Sequence, residues 1–330
     1  MHSRARIAAP ALAVSLIFVV AASLTIGSVG LSLAEVASSL VGNGDAQSTF
    51  VVVKLRLPRV IMCLLAGCAF GVAGALCQAL FANPLASPDL IGITSGSSAA
   101  AVAAILLFDL SGFAVSAAAL VGGLVVAGCV YVLAWRSGVS GHRFVVIGVA
   151  VAFVVHGLLG FLLTRADVRD AQSALVWMVG SVGGTRWIEV GVAAASIGLL
   201  LPCVALLAKP LRMLQLGDDT ARALGLRVEG ARAAVLVVAV ALAAGATAAV
   251  GPIAFVAFVC GPIARRLFPG GGLALIGSGA VGAALVAAAD LVAQHGVPGG
   301  VQLPVGIVTG LVGGPYLLWL LATQRAQGES

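Results

Sequence analysis

Apolar residues in this chain come in long unbroken blocks. They show neither the 3.6-residue stripe of a surface helix nor the strict alternation of a half-buried strand. The blocks cover residues 8–30, 59–81, 91–108, 113–135, 144–164, 187–208, 231–250, 253–267, 273–293 and 303–322. Most reach the roughly 20 residues a helix needs to cross the hydrocarbon core of a bilayer. The pattern predicts an all-α polytopic membrane protein of about ten transmembrane helices, forming one permease-like membrane domain over residues 1–330. The 253–267 block is short and carries Gly-Pro at 251–252 and 261–262, the mark of a helix broken at membrane depth. The first block is longer than the roughly 7–15 apolar residues of a signal-peptide core, so it is expected to remain as the first helix.

The polar segments between blocks differ in character. Residues 82–90 hold Asn83, Pro84, Pro88 and Asp89. Two prolines this close remove backbone donors and break helices, so a tight turn is expected there. The helix after it opens with Gly92, Thr94, Ser95, Gly96, Ser97 and Ser98, a small and hydroxylated run suited to close helix contact. Residues 165–186 are too short and polar to span, and Trp177 and Trp187 suit the membrane–water boundary, so a short interfacial helix is expected. The longest polar connection is 209–230. In it Gly217, Asp218, Asp219, Thr220, Ala221, Arg222, Leu224 and Gly225 read as a two-turn helix. The acidic pair would sit at its positive end, Gly225 would end it, and Ala221 and Leu224 would stand out as apolar knobs. So short a helix needs something to hold it.

Composition closes off whole classes. With 9% charged and 61% hydrophobic residues, the chain has too little polar surface to face water on all sides. Its two lysines, Lys54 and Lys209, do not follow glycine, so no phosphate-cradling P-loop can be written, and ATP work must fall to another chain. Six cysteines without a C-x-x-C pair and four scattered histidines give no metal site, and no cofactor is expected. The eighteen basic residues are spread over loops, which argues against nucleic acid. With both termini in the cytoplasm, twelve fall inside and six (Lys54, Arg56, Arg59, Arg165, Arg169, Arg186) outside, as the positive-inside rule prefers. Arg56 and Arg59, bracketing Pro58 at the start of the second block, run against that rule. With Pro58 opening the helix, both guanidinium groups are expected at the membrane surface. Asp290 is the one carboxylate deep in an apolar block, either a functional acid or a neutralised one.

Arg-Leu-Pro-Arg at 56–59, the glycine-rich helix ending in Gln78, Asn-Pro-Leu-Ala-Ser-Pro-Asp at 83–89 and the following Gly-x-x-Ser-Gly resemble the signature of the FecCD family. So do Gly-Pro-Ile-Ala-Phe at 251–255 and Gln-Leu-Pro-Val-Gly at 302–306; the family's usual Pro-His is Pro262-Ile263 here. These are permease subunits of ABC importers for ferric siderophores, haem and cobalamin, and the likeness implies their fold. It also implies a second permease subunit, a paralogue if the pair is a heterodimer, and two ATPase subunits docking on residues 217–225. A periplasmic or lipid-anchored substrate-binding protein would dock on Arg56 and Arg59. Ala134-Trp135-Arg136, the acidic pair and Ala-Asp-Leu-Val-Ala-Gln at 289–294 are closest to enterobactin-type members, which implies a ferric catecholate siderophore as cargo. Cobalamin-type members end the last stretch in Arg where Gln294 stands. Location in a bacterial cytoplasmic membrane follows from the same likeness. A secondary transporter, the alternative class, would be expected to show several intramembrane charges.

Overall fold

The computed structural model describes residues 2–135, 141–269, 273–297 and 301–328, so Arg136 lies outside the described residues. Every regular element among them is helical. In chain order these are α1 (His2–Thr25), α2 (Leu33–Leu40), α3 (Ala46–Thr49), α4 (Leu57–Leu80), α5 (Ile93–Phe108), α6 (Phe113–Ala134) and α7 (Gly141–Arg165). After them come α8 (Val168–Val179), α9 (Trp187–Leu214), α10 (Asp218–Ala223), α11 (Val228–Val250), α12 (Val256–Leu267), α13 (Leu275–His295) and α14 (Val305–Gly328). Ten of them fall on the ten apolar blocks. Seven helical runs are long and apolar enough to cross a membrane unaided, while α5, α12 and the apolar part of α14 are shorter. The interfacial helix expected within 165–186 is α8.

Two boundaries differ from the sequence reading. The second block does not begin at Pro58. Residues Ala46–Leu80 form one helical run, with a π-helical stretch at Phe50–Arg56 leading into α4. A proline ring would collide with the carbonyl four residues back. Here the backbone widens just before Pro58, and the Leu57 N–H reaches back to the Val52 carbonyl instead. At the other boundary, α9 continues through Pro202 and Pro210 to Leu214, which shortens the expected 209–230 loop.

The core is α4 with α11 and α13, which bury about half or more of their residues; α1, α6, α7 and α9 bury fewer than a third of theirs. Lipid tails are as apolar as leucine, so close packing must hold the helices together. The sequence supplies it with glycine. A methyl added at Gly67 would overlap the Gly282 carbonyl, and one at Gly71 the Ser278 carbonyl, so the α4 and α13 backbones touch. Likewise α5 and α6 meet at Gly96 and Gly122, with Ser97 against Gly123.

The expected break is found at Gly251-Pro252 but not at Gly261-Pro262, since α12 runs unbroken through Pro262. Pro262 inside α12 has no N–H for the Phe258 carbonyl. The Gln78 side-chain amide of α4 takes its place, donating to Phe258 O at 2.9 Å, while Arg265 Nη2 donates to Gln78 Oε1 at 2.9 Å.

Candidate functional site

The residues singled out in the sequence gather at opposite ends of the bundle. The Trp187 indole N–H at the start of α9 donates to the Val53 carbonyl, 2.9 Å away, which puts that start beside Arg56 and Arg59. The 28 residues of α9 then carry the chain roughly 42 Å to α10.

At the first end, the two arginines are already engaged. Arg56 donates from Nη1 to the Leu24 carbonyl at 2.6 Å and from Nη2 to the Val29 carbonyl at 2.5 Å. Leu24 lies in the last turn of α1, where carbonyls lack intrahelical partners, so Arg56 ties down the end of the first helix. Arg59 grips Asp290 of α13 in a fork: Nε lies 2.9 Å from Oδ2 and Nη2 lies 2.8 Å from Oδ1. The Gln294 amide adds a third bond to Oδ2 at 2.7 Å. The pair is largely out of solvent, with side-chain exposures of 14% for Arg59 and 4% for Asp290. The expectation of a helix that starts at Pro58 and presents both guanidinium groups at the membrane surface is therefore corrected in its start. The helix starts earlier and both side chains bind internally. Asp290 is neutralised by Arg59. One edge of Arg59 remains less committed, since among the described residues Nη1 meets just the exposed Gln302 Oε1, at 3.4 Å. The connector beside it is fastened by a capping box on α2, where the Ser32 hydroxyl and then its N–H hold the Glu35 carboxyl below its ordinary value.

At the other end, α10 forms where expected and ends as expected. Gly225 has φ +82, its N–H bonds Arg222 O at 2.9 Å, and the Leu226 N–H bonds Ala221 O at 3.0 Å, the two bonds of a Schellman stop. Asp218 and Asp219 occupy the first turn but do not cap it. Asp218 pairs with Arg232 of α11 at 2.8 Å, and Asp219 with Arg222 at 3.0 Å. That tie to α11 is what holds so short a helix. Ala221 is no exposed knob: it is fully buried in the main core cluster, and Leu224 alone stands out, 57% exposed. The reason is geometric, since α10 has an inner face that must cover the core.

The turn at 82–90 is as tight as its prolines predict. Ala82 has φ +47, the Asn83 side chain accepts the Leu85 N–H at 2.9 Å across Pro84, and Pro88 opens a 3-10 turn at Pro88–Ile91. The Thr94 hydroxyl donates to Asp89. Beyond this turn lies a feature the sequence reading missed, a cavity of about 710 Å³ between α5, α7, α8, α12 and α14. Its polar lining is Ser87, Asp89, Thr94, Ser95, Ser98 and His156. The small-residue run of α5 thus has two faces, one packed on α6 and one open to this cavity. Phe255, also on its wall, holds a left-handed backbone at φ +66, a costly geometry for an aromatic residue.

A family model described as the FecCD transport family matches residues 15–323. The chain belongs to the FecCD family. Among its relatives, the ferric enterobactin transport system permease protein FepG of Escherichia coli (strain K12) is 41% identical, over 89% of each chain. The achromobactin transport system permease protein CbrC of Dickeya dadantii (strain 3937) is 39% identical, over 93% of this chain and 88% of that one. A solved structure described as an inward-facing conformation of a metal-chelate type ABC transporter superposes with a TM-score of 0.85 at 25% identity, covering 95% of this chain and 98% of the other. For this FecCD protein the fold is thus that of an ABC transporter permease, as the resemblance implied.

Proposed function

We propose that this chain is the transmembrane permease subunit of an ABC importer that carries ferric siderophore, of the catecholate, enterobactin-like kind, across the bacterial cytoplasmic membrane. The observation that carries the reading is the 41% identity to FepG over 89% of both chains. In this reading both termini are cytoplasmic. ATP is hydrolysed by two partner subunits, one of which receives α10 through the exposed Leu224. A periplasmic or lipid-anchored binding protein docks at the opposite end, a glutamate taking the Nη1 edge of Arg59 while Asp290 holds the other edge. Arg56 serves there by fixing the end of α1. A second, paralogous permease covers the exposed apolar face of α7, on which Phe153 and His156 line the 710 Å³ cavity, and the cargo passes between the two subunits. Gln294 stands where cobalamin-type members carry an arginine, which supports a siderophore over cobalamin.

The test is growth of a strain lacking this chain on single siderophores as sole iron source. Loss of growth on ferric enterobactin, restored by the gene, is expected, with haem and cobalamin use unchanged. The 39% identity to CbrC makes another siderophore the second reading, and growth lost only on achromobactin would favour it. Growth retained on every siderophore would overturn both.

A further inference from the structure

A second, larger cavity lies away from the arginine end and away from the polar cavity. It has a volume of about 1200 Å³ and is bounded by α1, α4, α9 and α13. Its walls are apolar, with Leu12 and Leu16 on α1, Leu201 and Val204 on α9, and Leu275 and Ile276 on α13. One charged residue lines it, Arg212. Leu201, Val204, Ala205, Ala208 and Arg212 recur at helical spacing, so they form one face of α9, with the guanidinium at its foot in the last turn of the helix. From Leu201 to Arg212 that face runs roughly 16 Å, about half the 30 Å hydrocarbon core, hence one leaflet deep. Among the described residues, carboxylates pair with Arg59, Arg186, Arg222 and Arg232, but none pairs with the exposed Arg212.

We propose that this groove holds one acyl chain of an anionic phospholipid whose phosphate pairs with Arg212. An apolar slot one leaflet deep takes a hydrocarbon chain. An unpaired guanidinium at its headgroup end selects a phosphate whose charge is not cancelled within the same headgroup, because the planar fork binds phosphate oxygens in pairs. The groove opens to the bilayer rather than to water, as the 90% exposure of the apolar Ile276 on its wall requires. The inference does not depend on the cargo, nor on which membrane face carries α10.

The experiment uses the purified full chain in dodecyl maltoside, supplied with dioleoyl phosphatidylglycerol or dioleoyl phosphatidylcholine, and reads retained lipid by native mass spectrometry. The wild type is expected to retain phosphatidylglycerol over phosphatidylcholine by about fivefold, the preference one arginine gives at an anionic surface. Arg212→Gln should erase that preference while Arg212→Lys keeps most of it. Ala205→Phe places a ring in the slot and should reduce retention of both lipids. Equal retention of the two lipids by the wild type overturns the proposal. So does a preference that survives Arg212→Gln, which would put the phosphate elsewhere, or unchanged retention by Ala205→Phe. A wild type that retains no lipid because a second protein chain fills the groove also overturns it.

Discussion

Replacing Asp290 with alanine strips the Arg59 guanidinium of its carboxylate and leaves it the 3.4 Å contact with Gln302. The side chain is 14% exposed, so water offers little compensation. At an effective dielectric of 20, two unit charges about 4 Å apart attract by about 4 kcal/mol, and breaking one side of a buried pair costs about 3–5 kcal/mol. The lower half of that range applies to Asp290→Ala, because Arg59 keeps one edge near solvent. Arg59→Ala should cost more, because it strands a carboxylate that is 4% exposed with just the Gln294 amide and the Cys63 thiol beside it. Removing both residues removes both stranded charges. The double variant should therefore be more stable than Arg59→Ala alone, with an interaction energy of about 2–3 kcal/mol in the cycle. Unfolding of the four proteins in detergent, followed by tryptophan fluorescence and circular dichroism, measures it. Single variants within about 0.5 kcal/mol of wild type, or a double variant that is simply additive, would show that the pair does not lock α4 to α13.

Three further outcomes follow from the geometry. Leu224→Asp should abolish ferric siderophore uptake while leaving the folded amount unchanged, whereas Ala221→Asp, at a fully buried position, should lower the folded amount itself; uptake and membrane abundance measured together separate the two. Gly67→Val drives a branched side chain into the Gly282 carbonyl and should destabilise by several times the about 1 kcal/mol of an ordinary substitution, while Gly198→Val, which meets nothing within 4 Å, should be tolerated in thermal melts. The purified chain alone should neither bind nor turn over ATP; nucleotide binding by the isolated subunit, measured calorimetrically, would contradict the absence of a phosphate loop.

The sequence made the ten helical segments legible because a bilayer demands length and apolarity, and both can be read residue by residue. It located the tight turn through Pro84 and Pro88, and the stop of α10 through Gly225, because those residues act locally. What it could not show depends on which residues face each other across the bundle. Arg59 and Asp290 are 231 positions apart, and nothing local to either names the other. Ala221 and Leu224 are both apolar on one short helix, and only the packing beneath α10 buries the first and exposes the second. Ser97 and Ser98 are adjacent and identical, yet one faces α6 and the other the cavity. Pro262 did carry a usable signal, since its missing N–H implies an orphan carbonyl at Phe258 and hence a donor such as Gln78.

The glycine contacts between α4 and α13 limit how this molecule can deform. Sliding of packed helices needs a cushion of side chains that can change rotamer as one surface shears over the other. Between Gly67 and Gly282, and between Gly71 and Ser278, backbone rests directly on backbone, and no rotamer is available to yield. The two helices therefore have one set of coordinates between them. With the Arg59–Asp290 fork closing one end, they behave as a single beam, and any rocking of the protein must be hinged at its margins, where α5, α7 and α14 border open space.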